Sequence, residues 1–191
     1  MITAAREAVD LLLQAGNSWY FEGTRHGMRD QEWVALRFLA RANRFSRPPS
    51  SLAKFVGTTR ATVSEMVKRL EAKGYLERKS SGEDKRSVIL CITLRGEKIL
   101  AHDPIAPLVS AIAMVELGAP NFRDTLRKVL DRLGTAQHRH HADSCRQCIF
   151  LSETSMATAE STCRFFRAAI TKEEIDLLCF NFERRGGRIR S

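Results

Sequence analysis

Two short amphipathic segments meet at Gly57, and that joint constrains the fold more than any other feature of the chain. Upstream, Ser50 and Ser51 are available to cap the segment SLAKFVG, and Gly57 suits the left-handed conformation that ends a helix. Downstream, Thr58 or Thr59 caps a second segment in which Val63, Met66, Val67 and Leu70 share one face. Arg60, Thr62, Ser64, Glu65 and Lys68 occupy its other faces. Helix, glycine-containing turn, helix is the helix-turn-helix pattern. Beyond Gly74, residues 75–78 and the apolar run 87–92 flank the polar loop 79–85, which predicts two short strands joined by a charged hairpin. The expected fold is therefore mainly α with a small β wing, a winged helix-turn-helix.

Amphipathic helices are expected on both sides of this unit. Ala5, Val9, Leu12, Leu13 and Trp19 fall at mixed three-and-four spacing over residues 4–20, and Trp33, Val34, Leu36, Phe38, Leu39 and Ala40 make residues 31–43 a core helix that ends before Arg47-Pro48-Pro49. Thr93 caps a helix running to Leu100. Helices over residues 108–115 and 122–133 follow, the last with a stripe of Leu126, Val129, Leu130 and Leu133. A narrow apolar stripe needs a partner helix, so this region and the first helix predict an intertwined helical dimerisation region. The expected domains are 1–27 with 100–137 for dimerisation, 28–99 for the winged helix, and 138–191 as a cysteine-rich extension.

The charge balance points to the partner. Lys and Arg number 31 against 22 Asp and Glu, a net charge of +9, and a basic surface recruits phosphate and releases counterions. Hydrophobic residues at 43% are enough for a packed core. The N-terminal stretch has no signal-peptide pattern, and no run of 18 apolar residues exists to cross a membrane. A cytoplasmic protein is expected, in which cysteines serve as thiols or metal ligands. No phosphate-cradling glycine loop, G-x-S-x-G, H-E-x-x-H or deaminase-type H-x-E is present, so no enzyme is expected.

Helix-turn-helix proteins present the first turns of the second helix to the major groove of double-stranded DNA. Arg60 suits bidentate contact with guanine, and Thr59, Thr62, Ser64 and Lys68 suit bases or phosphates. On the hairpin, Asp84, Lys85 and Arg86 follow a tip of small residues; Arg86 is the candidate for minor-groove insertion and Asp84 for orienting it.

The order of these motifs resembles the MarR family, winged-helix regulators named for multiple antibiotic resistance. The resemblance is carried by EW-x-ALRFLA from Glu32, TTRATVSEMVKRLEAKGYLERK from Thr58 and EDKRSVILCITLRGEKIL from Glu83. It covers about residues 5–135, with Ile92 where the family pattern has leucine. It implies a homodimer with intertwined terminal helices that binds a pseudo-palindromic operator, with Arg60, Thr62 and Ser64 as groove or phosphate contacts and Asp84 with Arg86 as the wing pair. It also implies a small-molecule effector cleft, for which Trp19, Tyr20, His26 and Trp33 are candidates; aromatic residues at helical spacing equally suit a core.

The last fifty residues carry Cys145-Arg-Gln-Cys148, then Cys163 and Cys179. Four thiols of this spacing can surround one metal centre. A single paired-cysteine knuckle with two isolated partners favours an iron–sulfur cluster over zinc, which often uses two such knuckles. Buried inert cysteines and an oxidisable thiol pair are the alternatives. Arg146 and Arg164 could offset thiolate charge. His138, His140 and His141 read as the solvated end of a helix or as a substitute ligand, and Cys91 as a core residue. On this reading the metal or redox state of the tail alters the spacing of the two recognition helices, which must match one DNA turn of about 34 to 36 Å.

Overall fold

The computed structural model describes residues 2–18, 25–80, 87–116, 118–133, 141–154 and 160–185. Among them are seven α-helices: α1 Ile2–Asn17, α2 Asp30–Arg41, α3 Pro49–Val56, α4 Arg60–Ala72, α5 Leu94–Leu100, α6 Ala106–Ala113 and α7 Ala119–Arg132. Strands β1 Leu76–Ser80 and β2 Val88–Ile92 form the wing, antiparallel from Leu76↔Ile92 to Ser80↔Val88. No helix among the described residues is long and apolar enough to cross a membrane.

The winged-helix core is built as the hydrophobic pattern requires. Trp33, Leu36 and Phe38 of α2 pack with Leu52 and Val56 of α3, Val63, Met66, Val67 and Leu70 of α4, and Leu90 of β2. Phe38 stacks on Phe55 with ring centroids 4.1 Å apart. Gly57 has φ 73°, the left-handed conformation anticipated from its place in the sequence, and its N–H closes the end of α3 on Ala53 and Lys54. The cap of α3 differs from expectation. Pro48 is the N-cap and Pro49 opens the helix, leaving Ser50 and Ser51 inside it, because the fixed φ of proline is already helical and its missing N–H is not needed in the first turn.

Thr93 caps α5 by accepting from the Gly96 N–H at 3.0 Å. A β-carbon at Gly96 would lie 2.2 Å from the Tyr75 carbonyl oxygen, so only glycine permits the close approach of α5 to the base of the wing.

The helices outside this core leave apolar side chains in solvent. Val9, Leu11, Leu12 and Leu13 on α1, Val109 on α6, and Val129 and Leu133 near the end of α7 are all exposed. Neither α6 nor α7 contains a buried residue.

The described residues from Asp143 to Arg185 form a small β module that no sequence periodicity announces. Strands β4 Leu151–Thr154, β5 Glu160–Cys163 and β6 Ala168–Ile170 make a three-stranded antiparallel sheet, and β3 Asp143–Ser144 pairs with β7 Leu178–Cys179. Its core consists of Cys145, Cys148, Leu151, Cys163, Ile170, Cys179 and Phe182.

Candidate functional site

The candidate recognition helix α4 is set by two local devices, a cap and a buried stripe. Thr59 caps α4 by accepting from the Thr62 N–H at 3.1 Å. Its apolar stripe is fully buried, which turns Thr59, Arg60, Thr62 and Lys68 outward and leaves Ser64 half-buried. Lys68 pairs with Glu65 at 2.7 Å on the exposed surface, a weak interaction that leaves its charge available to phosphate. Asp84, Lys85 and Arg86 lie outside the described residues.

Sequence reasoning missed Glu32 as a fixing point for this helix. Glu32 is 1% exposed. It accepts from Arg69 Nε at 2.7 Å, Lys73 Nζ at 2.9 Å and the Arg29 N–H at 3.1 Å. Burial alone would raise its carboxyl pKa, but these bonds outweigh burial and hold it below the ordinary value. The structure thereby pins α2 to the last two turns of α4. A carboxylate in the first turn of a core helix, with two cations late in the next amphipathic helix, was the signal available.

The aromatic-cleft candidates separate. Trp33 is completely buried within the core cluster that α2 shares with α3 and α4. His26 is exposed with φ 60° and approaches Trp33 edge-on at 6.3 Å and His102 at 5.6 Å. Trp19 and Tyr20 lie outside the described residues.

The four candidate ligands converge. Cys145 and Cys148 bracket a 3-10 turn, Cys145–Gln147, closed by Cys148 N–H to Cys145 O at 2.9 Å. Register places Cys163 opposite Leu151 and Cys179 opposite Asp143. All four are buried and none is in a disulfide. They line one small void of about 10 Å³, together with Asn43, Phe45, Leu151, Phe166, Ile170 and other neighbours. Among the described residues, no three of His, Cys, Asp or Glu are placed to hold a single metal ion. Burial, and then the neighbouring thiols of Cys179, Cys148 and Cys163, push the Cys145 thiol up to about 12, and burial also raises Cys179. Such thiols are protonated and poorly nucleophilic unless a metal displaces the proton.

Three expectations about the neighbours change. Arg146 forks onto Asp176 and Arg164 reaches the Ile149 carbonyl, so each has a partner other than the thiols. His141 is half-buried against Phe182, with ring centroids 5.5 Å apart, instead of ending a helix in solvent. Cys91 is only half-buried on β2, opposite Glu77. His138 and His140 lie outside the described residues.

The cysteine module docks on both halves of the chain. Toward α7, Asp143 pairs with Arg127 at 2.5 Å, and Arg184 with Asp131 at 2.6 Å. Toward the winged helix, Phe166 stacks on Phe45 at 4.2 Å, Arg44 pairs with Glu174, and Ala42 forms a parallel bridge with Leu178. The second footing comes from residues 42–47, whose sequence shows only a turn.

A helix-turn-helix with an antiparallel wing at its end defines the winged-helix class of proteins. Comparison gives the family that this part of the chain resembles: residues 26–87 match the MarR family. The HTH-type transcriptional regulator YdcH of Bacillus subtilis is 38% identical over 81 residues, 41% of this chain and 55% of that protein. The transcriptional repressor MprA of Escherichia coli is 28% identical over 113 residues, 56% of this chain and 63% of MprA. The chain thus spans less than two thirds of either relative's length. Sco3205, a MarR family transcriptional regulator from Streptomyces coelicolor solved in complex with DNA, shares the fold at a TM-score of 0.50 and 24% identity, over 70% of this chain and 84% of that one.

Proposed function

We propose that the chain is a sequence-specific DNA-binding transcriptional regulator of the cytoplasm, a homodimeric repressor rather than an enzyme, whose DNA affinity is set by an iron–sulfur cluster on Cys145, Cys148, Cys163 and Cys179. The observation that carries the sensing part is the convergence of four buried thiols on one void in a module docked to the winged helix. The outward polar face of α4, the net charge of +9 and the regulator names of the relatives support DNA as the partner. The exposed apolar residues of α1 and α7 support a second copy as their cover.

The donor set favours a cluster over zinc. A lone zinc ion draws four sulfurs to about 2.3 Å from one point. The chain offers one paired knuckle, Cys145 with Cys148, and two isolated cysteines, where zinc sites often use two knuckles. An aromatic effector with structural zinc has less in its favour, since Trp33 belongs to the core.

The test is anaerobic purification with iron, sulfide and zinc analysis, followed by selection of bound duplexes from a random pool. Iron and sulfide in a coloured protein that enriches a palindromic duplex is the expected result. One zinc per chain in a colourless protein would overturn the cluster, and failure to enrich any duplex would overturn DNA recognition.

A further inference from the structure

One wall of the cysteine void is supplied by the DNA-binding unit. Asn43 follows α2 and is the N-cap of the 3-10 turn Arg44–Ser46, yet its side chain makes no cap hydrogen bond. Asparagine at that position ordinarily caps. Instead the side chain is fully buried and lines the void, with Nδ2 3.9 Å from Cys145 Sγ. It also faces the Cys179 thiol. Its Oδ1 has no hydrogen-bond partner among the described residues. A buried carboxamide oxygen left in this way is rare and needs an occupant to account for it. The sulfur of a group held by these thiolates would accept from the Asn43 amide N–H, and a water or thiol beside it could donate to Oδ1.

The backbone on either side of Asn43 is committed to both parts of the molecule. The Asn43 N–H donates to the Leu178 carbonyl at 2.9 Å, next to Cys179. The Phe180 N–H donates to Ser46 Oγ at 2.9 Å, and that hydroxyl also faces Cys179. Arg47 then accepts from the Leu90 N–H of β2 at 3.0 Å, and α3 begins two residues later. Asn43 on the void therefore lies four positions before Arg47, which bonds the centre of the wing strand.

We infer that Asn43 is the contact through which the occupant of the four-cysteine site acts on DNA binding, with residues 42–47 carrying its state to β2 and α3. This rests on the iron–sulfur reading above. Asn43 is a positioning residue: all four thiolates remain without it, and what it sets is the protection of the site and its coupling to the wing.

The test uses full-length wild type, Asn43→Ala and Asn43→Asp, the last preserving side-chain volume while removing the N–H donor. Three readouts are taken: iron and sulfide per chain, the rate of visible-absorbance loss in air, and the ratio of DNA dissociation constants with and without cluster. Wild type should show a ratio of about tenfold or more, within the usual range of coupling between sites. Both variants should bind iron and sulfide as wild type does, lose colour about tenfold faster, as expected when a partner of metal ligands is removed, and show a ratio within about twofold of unity. Folded variants that bleach and respond as wild type would overturn the inference while leaving the cluster intact. Wild type that takes up no iron or sulfide would overturn the cluster reading and the inference with it. Where the alanine variant fails to fold, the aspartate variant decides.

Discussion

Replacing Glu32 with glutamine should loosen the recognition helix while leaving every DNA-facing side chain in place. Glutamine keeps the shape and one acceptor but turns an NH2 group toward Arg69 or Lys73, both of which now bond the carboxylate. Losing a hydrogen bond between charged groups costs about 1.5–3 kcal/mol, and breaking a wholly buried pair costs about 3–5 kcal/mol. Arg69 is 39% exposed and Lys73 29%, so both cations recover water and the lower range applies. A loss of about 2 kcal/mol, with a urea slope of about 2 kcal/mol per molar, moves the unfolding midpoint by about 1 M. The pH dependence gives a second handle. Burial opposes ionisation of Glu32, but its bonds outweigh that and depress the folded pKa below the ordinary 4.5. The unfolded chain therefore binds this proton more readily than the folded one. The contribution is complete above pH 4.5 and is lost as pH falls through the folded value. Urea titrations at pH 7 and at successively lower pH should show the gap between wild type and Glu32→Gln closing in acid. A midpoint change under about 0.3 M at pH 7, or a gap indifferent to pH, would refute the reasoning.

The wing base, the DNA-facing side chains and the apolar surface make separate predictions. Gly96→Ala should destabilise by about 3 kcal/mol, since its methyl meets the Tyr75 carbonyl and the backbone must shift; an unchanged melting temperature contradicts the packing described. Arg60→Ala should change which duplexes are preferred, whereas Arg86→Ala should weaken all of them and lower the salt slope by about one; unaltered retention in gel shifts of both variants counts against DNA binding. Leu13→Asp, placed on the exposed face of α1, should shift the protein to monomer in light scattering at micromolar concentration, and an unmoved mass would remove α1 from the dimer interface.

The winged helix was legible because its signals are local and redundant. A stripe at helical spacing, a threonine cap and a glycine at positive φ each specify α4 or its boundary, and they agree. The α3 boundary was misplaced for a reason also present in the sequence, as Pro49 is better suited to open a helix than Ser50 is to precede one. The cysteine module was legible only as a set of ligands. Its strands run two to four residues, too short for alternation to register, and its core is made of cysteines and phenylalanines that the chain's periodicity does not order.

What sequence could not show is where that module stands. Its footing on Phe45 and Ala42 joins positions more than 100 residues apart through stacking and backbone pairing, interactions for which no residue spacing exists. Asn43 illustrates the consequence. Read locally, an asparagine between α2 and a turn is a cap, and nothing else would be asked of it. In the fold the capping bond is absent and the side chain faces sulfur 102 residues away. A residue that forgoes the local role its position offers, and is then left with an unpaired buried oxygen, bears a cost that the isolated winged helix has no means to offset. The compensation we infer is an occupant of the cysteine void, which would make the end of α2 part of the sensor as well as part of the reader.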